Sequence, residues 1–262
     1  MRLYYEVAIK AFQRSSIYRL ATLTGIVVNA FFGAIICYVY LAVYGQNPGA
    51  KVGGYDLPAI LSYMWLSQAL IVPTQIWFDK EISKTILSGD VVSDFSKPFD
   101  YQAFWLSRFI GNSLFGFLFR TIPTYLFGML FFGAQLPQKP LTTAPLFFAS
   151  LVLSIGVSFL IGYMVNLSAF WTINASGTFT LMATVQMFFS GFTVPLAFMP
   201  DWLGGLCRVL PFQTIIYSPS QIWLEQGSAW LLLPQLLWLL ILWWLARHLT
   251  RVARLKVTIQ GG

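Results

Sequence analysis

The side chains that most often perform acid–base or metal chemistry are few in this sequence and far apart. The single histidine, His248, stands near Arg247 and Arg251, and the two cysteines, Cys37 and Cys207, lie in different parts of the chain. A zinc site needs three or four ligands close together. Two cysteines are too few for a disulfide framework, so we interpret them as unpaired thiols. We expect no catalytic, cofactor-binding or metal-ligating residues.

The sequence also lacks the pattern that cradles nucleotide phosphates. A phosphate-binding loop reads GxxxxGK[ST], in which backbone N–H groups and the lysine hold the phosphates. No Gly-Lys pair occurs anywhere in the 262 residues. We therefore expect that this chain does not hydrolyse ATP by that route, and that it is not an enzyme by itself.

The acidic residues concentrate in one short segment, loop 79–102, which reads DKEISKTILSGDVVSDFSKPFDYQ. Its acids are Asp79, Glu81, Asp90, Asp94 and Asp100. The spacing of Ile82, Ile86 and Leu87 predicts a short amphipathic helix, which Gly89 is expected to end as a C-terminal cap. Pro98 blocks a helix there, and Asp100 is expected to cap the next one. Such a helix suits either a soluble partner or an ordinary solvated loop.

The amino-acid composition indicates the kind of fold in which these residues lie. The chain is 57% hydrophobic and only 10% charged, whereas soluble domains carry roughly 25% charged residues. Disorder is excluded as well, because it needs high charge and low hydrophobicity. The sequence predicts an all-α integral membrane protein.

Six apolar stretches are long enough to cross a bilayer, which takes about 20 residues in a helix. They lie at about 20–44, 57–78, 104–133, 145–172, 178–199 and 228–246. The fourth and fifth are expected to part near Asn174, Ser176 and Gly177, which favour a turn. Together they form a six-span domain, 20–246, followed by a basic tail, 247–262.

Residues 1–19 predict an amphipathic helix lying along the membrane surface. The charged residues Arg2, Glu6, Lys10 and Arg14 recur every four positions and form one stripe. The aromatic residues Tyr4, Phe12 and Tyr18 are expected to anchor it at the interface. The alternative is a simple basic lead-in that orients the first span.

Basic residues indicate how the spans are oriented. The sequence has 16 Lys and Arg against 9 Asp and Glu, a net charge of +7. One side of the membrane is expected to carry Arg2, Lys10, Arg14, Arg19, Lys80, Lys84, Lys97, Arg108, Arg247, Arg251, Arg254 and Lys256, and the other only Lys51, Lys139 and Arg208. Lys and Arg accumulate on the cytoplasmic side. Both termini are therefore predicted to be cytoplasmic, and the charge reflects orientation rather than nucleic-acid binding.

Arg120 is the charge that falls inside the third apolar stretch. A charge at mid-span costs about 2.5–3.5 kcal/mol on insertion scales, and no Asp or Glu lies inside any of the six stretches. Two interpretations stay open. The side chain either snorkels or packs between subunits, or it contacts backbone carbonyls, a lipid phosphate or an anionic part of a transported molecule.

Segment 200–227 is too polar for another span and too apolar for a solvated loop. It predicts a re-entrant or interfacial segment on the outer side, with Trp202, Leu203, Leu206 and Leu210 on one face of a short helix. Irregular backbone at membrane depth is tolerated only where protein or a water-filled cavity covers it. A plain interfacial loop is the alternative.

These features together resemble a known family, the six-span permease subunits of bacterial type-two ABC exporters, which include drug, lipid and polysaccharide exporters. Loop 79–102 is similar to the family pattern in the pairs Glu81-Ile82, Gly89-Asp90 and Lys97-Pro98. The region after the fifth span is similar in Gly191, Pro195, Pro200, Trp202, Leu203 and Pro211. One departure is Ser83, which precedes Lys84 where the family often has a basic residue. The resemblance covers nearly the whole chain.

The resemblance implies a division of labour. Two permease copies, identical or different, would work in the bacterial inner membrane with two copies of a soluble ATPase that binds ATP and Mg. The residues implied to contact the ATPase are Glu81, Ile82, Lys84, Ile86, Gly89, Asp90, Lys97 and Pro98. Those implied to line the translocation path are Gln68, Pro73, Gln75, Thr180, Thr184, Gln186, Phe189 and Pro195, with Pro200, Trp202, Leu203 and Pro211 in the extracellular segment.

Two other classes of membrane protein fit the sequence less well. An intramembrane enzyme needs converging His, Asp, Glu or Cys side chains, and the six stretches contain only one such side chain, Cys37. A channel or an ATPase-independent transporter remains the alternative, although filter loops, charged rings and intramembrane acids are not evident. The chemical nature of the cargo does not follow from the sequence.

Overall fold

Apolar runs without strand-like alternation fold into helices throughout the described part of the chain, which is residues 2–45, 47, 49–75, 78–172 and 176–260 of a computed structural model. The α-helices are α1 Arg2–Ile17, α2 Arg19–Gly45, α3 Leu57–Leu70, α4 Glu81–Ser88, α5 Val91–Ser96, α6 Tyr101–Gly116, α7 Ile122–Phe132, α8 Pro140–Leu167, α9 Ser176–Phe189, α10 Asp201–Val209, α11 Tyr217–Trp223 and α12 Leu232–Gln260. A π-helical segment, Phe117–Thr121, joins α6 to α7. The predicted all-α fold class is confirmed.

Four helical stretches in the described residues are long and apolar enough to cross a membrane. They are Arg19–Gly45, Tyr101–Phe132, Pro140–Phe170 and Ala229–Val257, and they overlap the first, third, fourth and sixth predicted spans. The second and fifth differ, because α3 and α9 have only 14 residues each. Such a helix is about 21 Å long, against a hydrocarbon core of about 30 Å.

Backbone breaks explain the two short helices. After α3 the chain turns at 71–75, where Pro73 lies and Gln75 adopts a φ of 45°. After α9 it turns at Ser190 and at Gly191, whose φ of 80° favours glycine. The Tyr63 hydroxyl donates to the Gly191 carbonyl at 2.7 Å and ties this turn to α3.

Three boundaries differ from the sequence expectation. Ser176 and Gly177 form the first turn of α9 rather than the preceding loop, and Asn174 lies outside the described residues. Pro140 starts α8 earlier than expected, because proline suits the first helical position. Segment 247–262 continues α12 as far as Gln260, since neither Gly nor Pro follows Pro234 before that point.

Helix α3 is the central element, and Ile60 to Leu70 are all buried. The ring of Trp65, fully buried, lies between Gly33 of α2 and Gly128 of α7. A Cβ at Gly33 would come within 3.0 Å of that ring. Small residues thus let the three helices approach around one aromatic side chain, as is typical of membrane helix packing.

The connections between helices gather at two opposite ends. At one end, ion pairs join Arg14 and Arg108 to Glu81, and Arg247 to Asp100. At the other, contacts join Tyr44 to Tyr55, Tyr125 to Gln135, and Lys139 to Glu225. Helix α2 and the continuous α6–α7 stretch therefore run in one direction, and α8 and α12 run in the opposite direction. The shorter helices α3 and α9 complete an alternating order along the chain, because α3 starts near Tyr55 and α9 starts near Lys80.

Candidate functional site

Loop 79–102 folds into two short helices, α4 and α5, between α3 and α6. Gly89 ends α4 with a φ of 84°, and its N–H donates to the Ile86 carbonyl at 3.2 Å. The Asp100 carboxylate accepts the Ala103 N–H at 2.7 Å at the start of α6. Both predicted caps are confirmed, because each depends on local chemistry that the sequence displays.

Glu81, in the first turn of α4, points toward the helical bundle. Its Oε1 lies 3.1 Å from an Arg14 guanidinium nitrogen on α1, and its Oε2 pairs with Arg108 on α6. The neighbouring Ile82 is buried. Glu81 therefore anchors α4 to two other helices, a role that the sequence pattern did not reveal.

A second anchor joins α4 to α8 through Asn166. The Asn166 Oδ1 accepts the Ser83 N–H at 2.9 Å, and its Nδ2 donates to the Asp79 carbonyl at 2.8 Å. Ser83 is buried in this contact. A small side chain fits here, which gives a physical reason for the departure from the family pattern. The signal available in the sequence was the amide of Asn166 inside an apolar stretch.

The basic end of α12 forms a third anchor. Arg247 contacts the Asp100 carboxylate at 2.6 Å, and the Arg254 guanidinium lies 5.0 Å from the centre of the Phe95 ring on α5. The hydroxyls of Thr250 and Tyr163 share a hydrogen bond of 2.7 Å. These arginines, which we read as orientation signals, also hold loop 79–102 in place.

The anchored loop leaves one face open. The side chains of Leu87 and Val92 are 54% and 55% exposed although both are apolar. Neither belongs to the predicted contact set. Of that set, Lys84, Gly89, Asp90, Lys97 and Pro98 are exposed and Ile86 is half-buried. The open face therefore combines two apolar side chains with charges of both signs.

A cavity of about 700 Å³, named here the Arg120 cavity, lies between α2, the end of α3 and the end of α9. It brings together three residues that were singled out separately: Gln68, Gln75 and Arg120. Its remaining lining is Val28, Asn29, Phe32, Ile36, Ile71, Val72, Met187, Phe192 and Thr193. The Asn29 side chain also donates to the Gln68 carbonyl at 3.3 Å.

Arg120 lies within the π-helical segment between α6 and α7. Such segments often occur at functional sites in long helices. Its guanidinium packs against Gly25 of α2, where an added methyl group would overlap it. No ion pair involves Arg120 within the described residues, and its buried Nε has no hydrogen-bond partner there.

The other predicted path residues lie outside the Arg120 cavity. Thr180 and Thr184 are exposed on α9, where each hydroxyl donates to a carbonyl one turn earlier. Gln186 is fully buried, and its Nε2 donates to the Ser158 hydroxyl at 3.4 Å. Pro73 and Pro195 are buried and Phe189 is half-buried. Their role in a path stays a prediction.

Segment 200–227 contains α10 and α11. Trp202 is 73% exposed, and Leu206 and Val209 extend the same exposed stripe, while Leu203 is half-buried and Leu210 lies beyond the helix. Pro200 is exposed and Pro211 is buried. The 3-10 helical turn from Pro211 to Thr214 is buried, and the Gln235 side chain of α12 donates to the Thr214 carbonyl at 2.8 Å.

The described residues contain no group of three His, Cys, Asp or Glu side chains that could hold a metal ion. Cys37 and Cys207 are both buried and free. The charged groups that shape the candidate site are therefore the ionic anchors of loop 79–102 and the guanidinium of Arg120.

Comparison with known proteins gives one family. A family model described as ABC-2 family transporter protein matches residues 28–261. No curated protein matches the chain significantly. The match begins within α2 and reaches the end of α12, so it includes loop 79–102 and all the residues that line the Arg120 cavity. The chain belongs to the ABC-2 family of transporter proteins, as a multi-pass membrane permease.

Proposed function

We propose that this chain is the permease subunit of an ATP-driven exporter and couples through loop 79–102 to a separate ATPase subunit. The observation that carries the proposal is that this loop is anchored on one side and exposed on the other. It is held to α1, α6, α8 and α12 by Glu81, Asn166 and Arg247, yet it exposes Leu87 and Val92. Contiguous exposed apolar side chains mark interaction surfaces, and Leu87 and Val92 line the same surface cavity.

The anchors suggest how a motor would act on the bundle. Two ATPase subunits that bind ATP and Mg would press on the open face of loop 79–102. The force would then reach the bundle through the contacts of Glu81 and Asn166, because these join the loop to the helices. Export follows if nucleotide favours one arrangement of the permease pair over the other.

We also propose six crossings, with both termini in the cytoplasm of a bacterial cell and the chain in the inner membrane. Helices α3 and α9 would complete the second and fifth crossings together with the irregular backbone after each. Protein covers the residues after α3, and Pro73 and Thr74 are buried, so that backbone meets the condition for non-helical chain at membrane depth.

The translocation path would lie between two permease copies, identical or different. Gln68, Gln75 and Arg120 support this placement, because they share a cavity that borders an exposed side of α2. This chain would supply the path and the docking surface, and the ATPase would supply the hydrolysis.

The test is co-purification with an ATPase that is encoded beside this gene and contains a phosphate-binding loop. Leu87→Glu and Val92→Glu each place a charge on the open face without touching an anchor. We expect each to reduce recovery of the ATPase at least about tenfold, because a charge buried unpaired in an interface costs well over 1.4 kcal/mol.

Val52→Glu is the matched control. Val52 is also exposed and apolar but lies at the opposite end of the bundle, so its variant should recover as much ATPase as the wild type. Equal recovery by all three variants would show that loop 79–102 is not the docking surface.

A further inference from the structure

The Arg120 cavity has a cationic end and an apolar interior. We propose that it binds an amphiphilic anion, whose phosphate or carboxylate head contacts the Arg120 guanidinium and whose apolar tail lies along α2. This inference rests on the proposed export function, because it names the class of molecule that the permease accepts.

The charge of Arg120 is the first argument. Both cavities that the guanidinium borders are lined, among the described residues, without any carboxylate. A cation removed from water without a counter-charge is costly. An anionic head group supplies that charge, and its paired oxygens match the two-pronged geometry of a guanidinium.

The order of side chains along α2 is the second argument. Gly25 of α2 lies against the Arg120 guanidinium, and Asn29 lies one helical turn further along α2. Phe32 and Ile36 lie about 10 Å and 16 Å beyond Gly25 along the helix axis. Met187 and Phe192 line the facing wall. Along α2 the side chains that line the cavity therefore change from polar to apolar over the length of an alkyl chain, as an amphiphile requires.

The approach to the site is the third argument. A second cavity, of about 310 Å³, shares Val72, Gln75 and Arg120 with the first. It is lined by Ser15, Tyr18 and Thr22 at the junction of α1 and α2, the end that carries loop 79–102. A head group entering from that end reaches Arg120 without crossing the apolar interior.

The test measures binding to the purified permease alone, in dodecyl maltoside, by native mass spectrometry. Dodecyl phosphate is the probe, and dodecyl trimethylammonium and inorganic phosphate are the comparators. We expect dodecyl phosphate to bind the wild type at least about tenfold more tightly than either comparator. Arg120→Gln should raise its Kd about tenfold or more, which corresponds to the loss of 1.4 kcal/mol or more.

Two further variants make the result decisive. Gly25→Ala keeps the charge but displaces the guanidinium, so it should weaken dodecyl phosphate binding even if Arg120→Gln does not fold. Arg208→Gln removes an exposed charge on α10, outside the cavity lining, and should leave the Kd unchanged.

Either of two results overturns the proposal: the same Kd for dodecyl phosphate in the wild type, Gly25→Ala and Arg120→Gln, or binding of inorganic phosphate as tight as that of dodecyl phosphate. Because no ATPase is present, failure here leaves the co-purification result intact. Loss of ATPase docking likewise leaves this binding measurement intact.

Discussion

Glu81 is the residue whose role changes most between sequence and structure. The family pattern assigns it to the ATPase contact, but its carboxylate faces Arg14 and Arg108 of the same chain. These partners are distant in sequence, so no local pattern could reveal them. Gly89 and Asp100 were predictable, because a cap is recognised from its immediate neighbours.

Removing the Glu81 charge should loosen loop 79–102. In Glu81→Gln, both ionic contacts are lost while the shape of the side chain is kept. We expect amide hydrogen exchange in 81–96 to rise roughly fivefold, because a partly exposed ion pair contributes about 1 kcal/mol to the closed state. Hydrogen–deuterium exchange with mass spectrometry measures this directly.

Asp94→Asn is the control for that experiment. Asp94 pairs with Lys97 at 2.8 Å on the surface of the same loop, and among the described residues it forms no ion pair with another helix. Its variant should exchange as the wild type does. If Glu81→Gln also exchanges at the wild-type rate, the anchor contributes nothing to loop order.

Helix α1 behaves as part of the bundle rather than as a lone interface helix. Phe12 packs edge-on against Phe115 of α6, with ring centres 5.6 Å apart, and the Tyr4 hydroxyl accepts the Asp100 N–H at 3.0 Å. These aromatic residues were expected to face the membrane. The sequence indicated an amphipathic helix, but which protein surface its apolar face covers depends on tertiary packing.

Gly111 of α6 permits the close approach of α1. A Cβ there would overlap the Ala8 carbonyl oxygen and lie 2.9 Å from the Ala11 Cβ. Gly111→Val should therefore displace α1, at a cost of about 1–3 kcal/mol from overpacking. Limited trypsin digestion should then cut after Lys10 and Arg14, which the packed helix protects.

Gly205→Val gives the comparison for this substitution. Gly205 also lies within a helix, α10, but a Cβ there meets nothing within 4 Å. Its digestion pattern should match the wild type. Equal protection of Lys10 and Arg14 in Gly111→Val would show that α1 is held by other contacts.

The bundle has one end that is rich in basic residues and ion pairs and an opposite end that carries few of them, and the sequence largely predicts this division. The uneven distribution of Lys and Arg in the sequence divides the loops into the same two groups that the structure places at opposite ends, because each apolar stretch carries the chain from one end to the other. The lengths of α3 and α9 were not predictable from apolarity, since Gln75 and Gly191 end regular structure inside apolar runs. The convergence of Gln68, Gln75 and Arg120 also depends on helix packing that hydrophobicity does not encode.

Labelling from each side of the membrane tests the orientation. A cysteine placed at Val92 should react with an impermeant maleimide only in inverted vesicles, and one at Val52 only in intact cells. The wild type serves as the blank, because Cys37 and Cys207 are buried. Labelling of both variants from one side would contradict the alternating arrangement of helices.

The length of α12 has a consequence for the geometry of the assembly. Its 29 residues extend about 44 Å, whereas the hydrocarbon core is about 30 Å thick. The excess lies at the end where Arg247 and Arg254 contact loop 79–102. In the proposed assembly this overhang would act as a fixed spacer that holds loop 79–102 clear of the lipid head groups, so that a bound ATPase would meet protein rather than membrane.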